Sequence, residues 1–150
     1  MIKIRKAETS DTPQLETLFL ITRQRTFHWE NPNKFKLEDF KQSTAGETIF
    51  VAEDEGATIV GFVSVWEQDA IPFIHHLFVA QNHQRKGIGE LLMQSLLAWL
   101  PTPYRLKCVS KNRGALAFYH KHGWIEIGRG IGEDGEYLLL ELPPAGVING

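Results

Sequence analysis

The sequence predicts an α/β fold, a mixed central sheet of about seven strands flanked by about four helices, in the order β-α-α-β-β-β-α-β-α-β-β. Two observations predict it. Short segments alternate apolar and polar residues or are mostly apolar, whereas longer segments repeat apolar residues at helical spacing. Glycine, proline and asparagine separate these segments, without internal repeats or linkers. Helices covering a sheet are the natural packing for this order, and the length fits a single domain spanning residues 1–150.

The first part of the chain predicts one strand and two helices. Residues 2–5 alternate isoleucine with lysine or arginine, which is typical of a strand. Capping side chains and a proline in residues 9–13 then favour a helix start. Apolar residues continue the helical spacing to about Phe27, and Asn31-Pro32-Asn33 ends it. Leu37 to Ser43 predicts a second, short helix.

The middle of the chain predicts a hairpin, a third strand and the best helix. Thr48–Glu53 and Thr58–Trp66 form the hairpin around the turn Glu55-Gly56. Ile71–Ala80 is a mostly apolar strand, and Gly87–Leu100 is a strongly periodic helix. The apolar positions of this helix are predicted to form one buried stripe: Ile88, Leu91, Leu92, Leu96, Trp99 and Leu100.

The last part of the chain predicts a strand, a helix and a final strand pair. Tyr104–Val109 is a short strand, and Asn112–His122 is a helix that a following glycine ends. Trp124–Gly128 and Tyr137–Leu142 are the last strands, with a turn at residues 133–135.

The composition excludes several classes of protein. A formal net charge of −2 gives no basic surface for general binding to nucleic acid or to a membrane. A single cysteine, Cys108, excludes an intrachain disulfide and fits a reducing compartment. No signal-peptide pattern opens the sequence, and no run of about 18 apolar residues occurs. We therefore expect a soluble cytoplasmic protein without nucleic-acid or membrane partners.

The most specific local pattern is a glycine-rich turn between a strand and a helix. Gln81–Lys86 is polar and basic, and Gly87 and Gly89 flank Ile88 where the helix begins. The first backbone N–H groups of a helix lack intrahelical partners and lie at the positive end of the helix dipole. Without a Cβ in the way, a pyrophosphate can accept several of these hydrogen bonds. The alternative is a tight packing turn whose basic residues are only solvated.

Two other phosphate-binding motifs fit poorly. A P-loop requires Gly-Lys-Ser/Thr, which does not occur in the sequence. A dinucleotide-binding turn requires a third glycine, but Leu92 stands three residues after Gly89.

The turn and a later segment together resemble a known family. Gln84-Arg85-Lys86-Gly87-Ile88-Gly89 matches the Q/R-x-x-G-x-G/A pattern of the GNAT (GCN5-related N-acetyltransferase) superfamily, and the strand Ile74–Val79 precedes it as in that family. Asn112–Tyr119 followed by Gly123-Trp124 resembles the second family block, N-x-x-A-x-x-F-Y then G-F. Two blocks in the right order are more specific than either alone, and the resemblance covers nearly the whole chain.

The resemblance implies acetyl-CoA as cosubstrate. In that family the loop amides hold the CoA pyrophosphate, and the preceding strand splays from its neighbour and pairs with the pantetheine arm. An asparagine that opens the later helix contacts the pantetheine or acetyl region, and it can also cap that helix. Carried onto this sequence, the cofactor-binding residues are Leu77, Phe78, Val79, Gln84, Arg85, Lys86, Gly87, Ile88, Gly89 and Asn112.

The resemblance also implies direct attack of an amine on the thioester in a ternary complex. Tyr119 corresponds to a tyrosine that protonates the leaving CoA thiolate, and its alternative role is that of a buried aromatic residue. A backbone N–H at or near Val79 would stabilise the oxyanion. Cys108 could suggest an acyl-enzyme, but its predicted core strand favours a small buried residue.

The general base is predicted less specifically. Strand alternation sends His75 and His76 to opposite faces, with His75 on the face of Leu77 and Val79. The resemblance favours His75 as the base, since some family members carry a catalytic histidine or glutamate at this position, and histidine also titrates in the useful range. His76, a water chain, or purely structural roles for both histidines are the alternatives.

The acceptor is predicted only as a primary amine, either a small molecule or a peptide or protein amine. In the family the end of the first helix and the turn after it form the acceptor side, where Trp29, Glu30 and Trp66 would suit a cation. Histidine spacing indicates no metal. Dimers are common in the family, so a homodimer is compatible with the resemblance. A CoA-binding module without turnover is the alternative function.

Overall fold

The structure of the protein is a computed structural model that describes residues 1–144. Seven strands form one sheet in the order β1-β2-β3-β4-β5-β7-β6, in which only the β4–β5 pair is parallel. The predicted fold class is confirmed. The elements are β1 Lys3–Lys6, α1 Thr12–Thr26, α2 Asp39–Thr44, β2 Thr48–Glu53, β3 Ile59–Trp66, β4 Phe73–Val79, α3 Ile88–Trp99, β5 Tyr104–Val109, α4 Arg113–Lys121, β6 Ile125–Gly132 and β7 Gly135–Leu142.

Helices cover both faces of the sheet, and each face has its own apolar core. We call the two faces the α1 side and the α3 side. On the α1 side, residues of α1 and α2 pack on β2 and β3: Leu15, Phe19, Phe40, Val51, Ile59 and Phe62. On the α3 side, residues of α3 and α4 pack on the central strands: Val63, Val65, Ile74, Ile88, Leu92, Leu96, Leu106 and Tyr119. Burying each large apolar side chain stabilises the fold by roughly 1.5–3 kcal/mol.

The start of α1 differs from the predicted capping arrangement. Thr9–Asp11 forms a turn of 3₁₀ helix, and α1 follows it with Pro13 in its first turn. Asp11 is buried, and its carboxylate accepts two hydrogen bonds from the Arg5 guanidinium, at 2.8 and 2.9 Å. The Arg5 hydrogen bonds hold the pKa of Asp11 below its usual range. This ion pair fastens the beginning of α1 to β1.

The last two strands are longer than predicted. β6 continues to Gly132 and β7 begins at Gly135, so the predicted turn at residues 133–135 is a tight hairpin loop. A Cβ on Gly130 would lie 2.3 Å from the Tyr137 hydroxyl oxygen. Glycine at this position therefore accommodates the Tyr137 ring against β6.

The buried stripe of α3 also differs in two positions. Ile88, Leu92 and Leu96 are fully buried as predicted. Leu91 and Trp99 are 39% and 38% exposed, and Met93 is buried instead. The four-residue spacing of the three fully buried positions leaves Leu91 at the border of the stripe. None of the helices within residues 1–144 is both long and apolar enough to cross a membrane.

Candidate active site

A cleft opens at the centre of the sheet because β4 and β5 separate soon after they begin. Their parallel pairing comprises only Phe73 with Arg105 and Ile74 with Leu106. Beyond these pairs the strands diverge, and the resulting cleft has a volume of about 1770 Å³. The sequence-predicted site residues that line it are His75, Leu77, Phe78, Val79, Gln84, Arg85, Gly87, Ile88, Gly89, Asn112 and Tyr119. Lys86 is exposed and does not line the cleft.

The edge of β4 presents to this cleft peptide groups that are not paired with β3. The N–H of Ala80 donates to the carbonyl of Val60 at 2.8 Å, one position beyond the Gly61–Val79 pair that ends the antiparallel β3–β4 ladder. Hydrogen-bonded pairs alternate along such a ladder. Phe78 therefore pairs with β3, whereas the peptide groups of Leu77 and Val79 point the other way, into the cleft. Of the predicted cofactor-binding residues on β4, Leu77 and Val79 can therefore bind a ligand in the cleft through backbone groups, whereas Phe78 contributes only its ring.

The loop after β4 adds a second set of backbone donors. The Gln84 side-chain amide donates to the Val79 carbonyl at 3.1 Å, which fastens the loop to the end of β4. Arg85 and Gly87 have left-handed backbone conformations, with φ of 66° and 77°. The first intrahelical bond of α3 runs from the Leu91 N–H to the Gly87 carbonyl, at 3.0 Å. The N–H groups of residues 88–90 therefore have no intrahelical partner, and this end of the helix lies at the cleft.

Helix α4 forms the facing wall, and two predicted residues fix its position. The Asn112 side chain accepts a hydrogen bond from the Ala115 N–H at 3.2 Å, so it caps α4 as predicted while lining the cleft. A Cβ on Gly89 would lie 3.3 Å from the Phe118 ring. Glycine at this position lets α3 and α4 approach closely.

Tyr119 projects from α4 into the α3 side of the cleft and is 7% exposed. Burial, with a smaller contribution from Cys108, raises the pKa of its phenol well above the usual value. Within residues 1–144 its hydroxyl makes no hydrogen bond. The phenol is therefore protonated at neutral pH and free to donate to a group in the cleft.

Cys108 lines the same cleft from β5. Burial raises the pKa of its thiol to about 11. Because the thiolate is the nucleophilic form, a thiol that stays protonated at neutral pH is a poor acyl acceptor. This geometry agrees with the prediction of a small buried residue.

The predicted face of His75 is wrong, whereas that of His76 is correct, because the β3–β4 register shifts between Ser64 and Val65. Ser64 pairs with His76 and Val65 with Ile74, so His75 is an extra, bulged residue. The bulge turns His75 to the α1 side, where its ring centroid lies 6.0 Å from that of His76. Leu77 packs on the opposite side of the sheet.

The two histidine side chains have very different surroundings. The His76 ring packs against Phe19 at a centroid distance of 4.8 Å, and its Nε2 is buried without a hydrogen-bond partner. Burial lowers the pKa of His76 to about 4, so the ring is neutral at pH 7. His75 is 39% exposed and lines the cleft, and its Nδ1 is hydrogen-bonded to the Glu47 carboxylate. Nothing in the sequence around Glu47 indicated this contact, which spans 28 residues.

On the α1 side of the cleft, the segment after α1 contacts the β6–β7 hairpin. The Trp29 indole N–H donates to the Asp134 carbonyl at 3.4 Å, and Lys111 lies 5.2 Å from the Trp29 ring centroid. Lys34 forms ion pairs with Glu30 and Asp134, at 2.5 and 3.3 Å. Trp29 therefore lines the cleft as expected, whereas Glu30 serves to hold this contact together.

Trp66, the third residue expected on this side, does not line the cleft within the described part of the chain. Its ring covers Gly46, where a Cβ would lie 3.0 Å from it. Residues 1–144 bring no three His, Cys, Asp or Glu side chains together in a group that could hold a metal ion.

Comparison with known proteins agrees with this geometry. A family model described as the acetyltransferase (GNAT) family matches residues 13–124. The fold is similar to that of apo-form YjaB from Escherichia coli, with 21% identity, a TM-score of 0.76, and 95% of this chain and 97% of that chain covered. Comparison with curated proteins gives no match.

Two further solved structures share the fold. One is the PaiA N-acetyltransferase from Thermoplasma acidophilum in complex with coenzyme A, with 17% identity, a TM-score of 0.75, and coverage of 95% of this chain and 99% of that chain. The other is the ribosomal-protein-S18-alanine N-acetyltransferase from Escherichia coli, with 18% identity, a TM-score of 0.74, and coverage of 100% and 98%. With its two sequence blocks, its splayed strands and its family match, the chain belongs to the GNAT family of acetyltransferases.

Proposed function

We propose that this protein transfers an acetyl group from acetyl-CoA to a primary amine by direct attack of the amine on the thioester. The observation that carries the proposal is the open edge of β4, whose Leu77 and Val79 peptide groups face the same cleft as Tyr119. The pantetheine arm would pair with this edge as an additional strand does, and the loop amides from Gln84 to Gly89 would bind the pyrophosphate. A structure that shares the fold was solved in complex with coenzyme A, which supports coenzyme A as the type of ligand proposed.

In this proposal the α3 side of the cleft serves the leaving group. The neutral amine adds to the thioester carbonyl, and the N–H of Val79 donates to the oxygen as it becomes negative. The tetrahedral intermediate then collapses: the carbon–sulfur bond breaks, Tyr119 gives its proton to the CoA sulfur, and the second proton lost by the attacking nitrogen restores the phenol. A buried phenol that remains protonated at neutral pH suits this role. Asn112 would hold the pantetheine next to it.

The α1 side would admit the acceptor and remove its proton. An amine is protonated in water near neutral pH, so a base must take a proton before or during attack. His75 fits this role better than His76, because it is partly exposed and the bulge directs it to the acceptor side. His76 is buried, and its lowered pKa makes it a poor base at neutral pH.

The proposal is tested by measuring free-thiol release from acetyl-CoA with a panel of amines, with mass spectrometry of the products. The panel contains polyamines, amino acids and peptides with a free N-terminus or lysine, because one structural relative is named for acetylating an alanine of a ribosomal protein. We expect amine-dependent thiol release and an acetylated amine. If acetyl-CoA raises the melting temperature but no amine is acetylated, the protein is a CoA-binding module instead. If acetyl-CoA does not stabilise it either, the proposed cofactor site is wrong.

A further inference from the structure

Glu47, just before β2, is an unusually placed carboxylate in the described part of the chain. Its side chain is 2% exposed, and no Lys or Arg within residues 1–144 forms an ion pair with it. Each carboxylate oxygen has one partner: Oε1 accepts from the Ser64 hydroxyl, and Oε2 is bonded to Nδ1 of His75. Burying a carboxylate is costly unless such bonds satisfy it. The fold therefore keeps Glu47 in contact with one particular ring.

A tight turn delivers Glu47 to this position. The Glu47 N–H donates to the Thr44 carbonyl at 3.0 Å, which closes a four-residue turn after α2. Ala45 has φ −56° and ψ 126°, and Gly46 has φ 79°, as in a type II turn. Glycine is preferred at the second of these positions, because φ is positive there. The Trp66 ring lies over Gly46 and covers the turn.

The other contact of the Glu47 carboxylate, from Oε1 to the Ser64 hydroxyl, is also held in place. Ser64 is fully buried in the middle of β3, so its hydroxyl cannot turn to solvent when it donates to Glu47. Ser64 stands opposite His76, next to the bulge that exposes His75. The turn, the buried hydroxyl and the bulge thus bring Oε2 to Nδ1 of His75, while the other edge of the ring is available to the cleft.

We propose that Glu47 is a positioning residue for His75. Its carboxylate accepts a hydrogen bond from Nδ1–H of His75, which fixes the tautomer with the lone pair on Nε2 and stabilises the imidazolium that forms when Nε2 takes the proton of the acceptor amine. One proton moves from the ammonium nitrogen to Nε2, and none moves to Glu47. This inference rests on the proposed function, in which His75 is the base.

The tautomer is tested first, because it can be measured without catalysis. Nitrogen-15 NMR of the neutral His75 ring, assigned by its loss in His75→Gln, distinguishes Nδ1–H from Nε2–H. We expect the Nδ1–H form in the wild type and a shift towards Nε2–H in Glu47→Ala, which lacks the acceptor. An Nε2–H tautomer in the wild type overturns the proposal, whether or not the variant folds.

The second test is kinetic, and it uses Glu47→Gln. General base catalysis contributes about 10²–10⁴-fold, so we expect kcat to fall at least about tenfold while KM for acetyl-CoA stays within about twofold. The matched control is Glu67→Gln, an exposed carboxylate that also accepts a hydroxyl hydrogen bond, from Thr48 at 2.6 Å. We expect it to retain the wild-type kcat.

A double variant separates an effect through His75 from a general one. Glu47→Gln in a His75→Ala background should cause little further loss of kcat, because the ring that Glu47 orients is gone. The same loss in both backgrounds overturns the proposal. If the wild type acetylates no amine at all, the proposed function fails, and the tautomer measurement still decides whether Glu47 orients His75.

Discussion

The two sides of the cleft are built by different means. On the α3 side, backbone groups of one strand, one loop and one helix start face the cleft within residues 77–90. On the α1 side, the cleft depends on side chains brought together from distant segments, such as Glu47 with His75 and Trp29 with Asp134. In the proposed function, the local backbone of the α3 side would bind the cofactor and the long-range side-chain contacts of the α1 side would bind the acceptor, so a change on the α1 side should leave cofactor binding intact.

Tyr119→Phe should give the largest effect, because it removes one proton donor from the α3 side and leaves the backbone there intact. We expect kcat to fall by about 10²–10⁴-fold. The dissociation constant for acetyl-CoA, measured by calorimetry, should stay within about threefold. An unchanged kcat would remove Tyr119 from the mechanism, and a large loss of affinity would mean that side chains, not backbone, hold the cofactor.

Gly87→Val should act on cofactor binding. Its left-handed φ strains any other residue by about 1–2 kcal/mol, and displaced amides lose hydrogen bonds to the pyrophosphate. We expect acetyl-CoA to bind about a hundredfold more weakly. The control is Gly135→Val, which also places a side chain at a positive φ, 114°, but on the hairpin of the α1 side. Equal losses of acetyl-CoA affinity in both variants would contradict the division between the two sides.

His76→Phe should change the pH dependence of stability. The pKa of His76 is about 4 in the folded protein and about 6.5 when unfolded, so the unfolded chain binds the proton first as the pH falls. Neutral His76 therefore contributes its full stabilisation above pH 6.5, and the wild type loses about 2 kcal/mol of its free energy of unfolding by pH 5. Urea unfolding at pH 7 and pH 5 should show that the free energy of unfolding falls by about 2 kcal/mol less in His76→Phe than in the wild type. Equal losses in both proteins would mean that His76 is not buried in its neutral form.

Trp29→Ala should give the smallest effect, confined to the acceptor. It removes an indole hydrogen bond to the hairpin and the contact with Lys111, each worth about 1 kcal/mol. We expect KM for the amine to rise severalfold and the affinity for acetyl-CoA to stay unchanged. Trp99→Ala, at a partly exposed position on α3, is the control and should leave KM for the amine unchanged. A weaker affinity for acetyl-CoA in Trp29→Ala would show that the two sides are coupled.

The same difference explains what could be predicted from the sequence. The strand, loop and helix of the α3 side follow from local periodicity and two glycines. The site residues predicted there, together with Asn112 and Tyr119, all line the cleft except Lys86. The bulge at His75 depends on pairing with Ser64, and the contact with Glu47 depends on how α2 ends. No local pattern encodes either one, so simple alternation placed His75 on the wrong face. The predicted β6 and β7 are too short for a similar reason, because Gly130 accommodates the Tyr137 ring of the neighbouring strand and no local pattern shows that contact.

Amide hydrogen exchange can show whether acetyl-CoA binds along the open edge of β4. Without cofactor, the Phe78 N–H should be protected by its pairing with β3, whereas Leu77 and Val79 should exchange rapidly. With acetyl-CoA, the exchange of Leu77 and Val79 should slow markedly, while that of Phe78 changes little. Unchanged exchange at Leu77 and Val79 in the presence of saturating acetyl-CoA would mean that the cofactor does not bind along this edge.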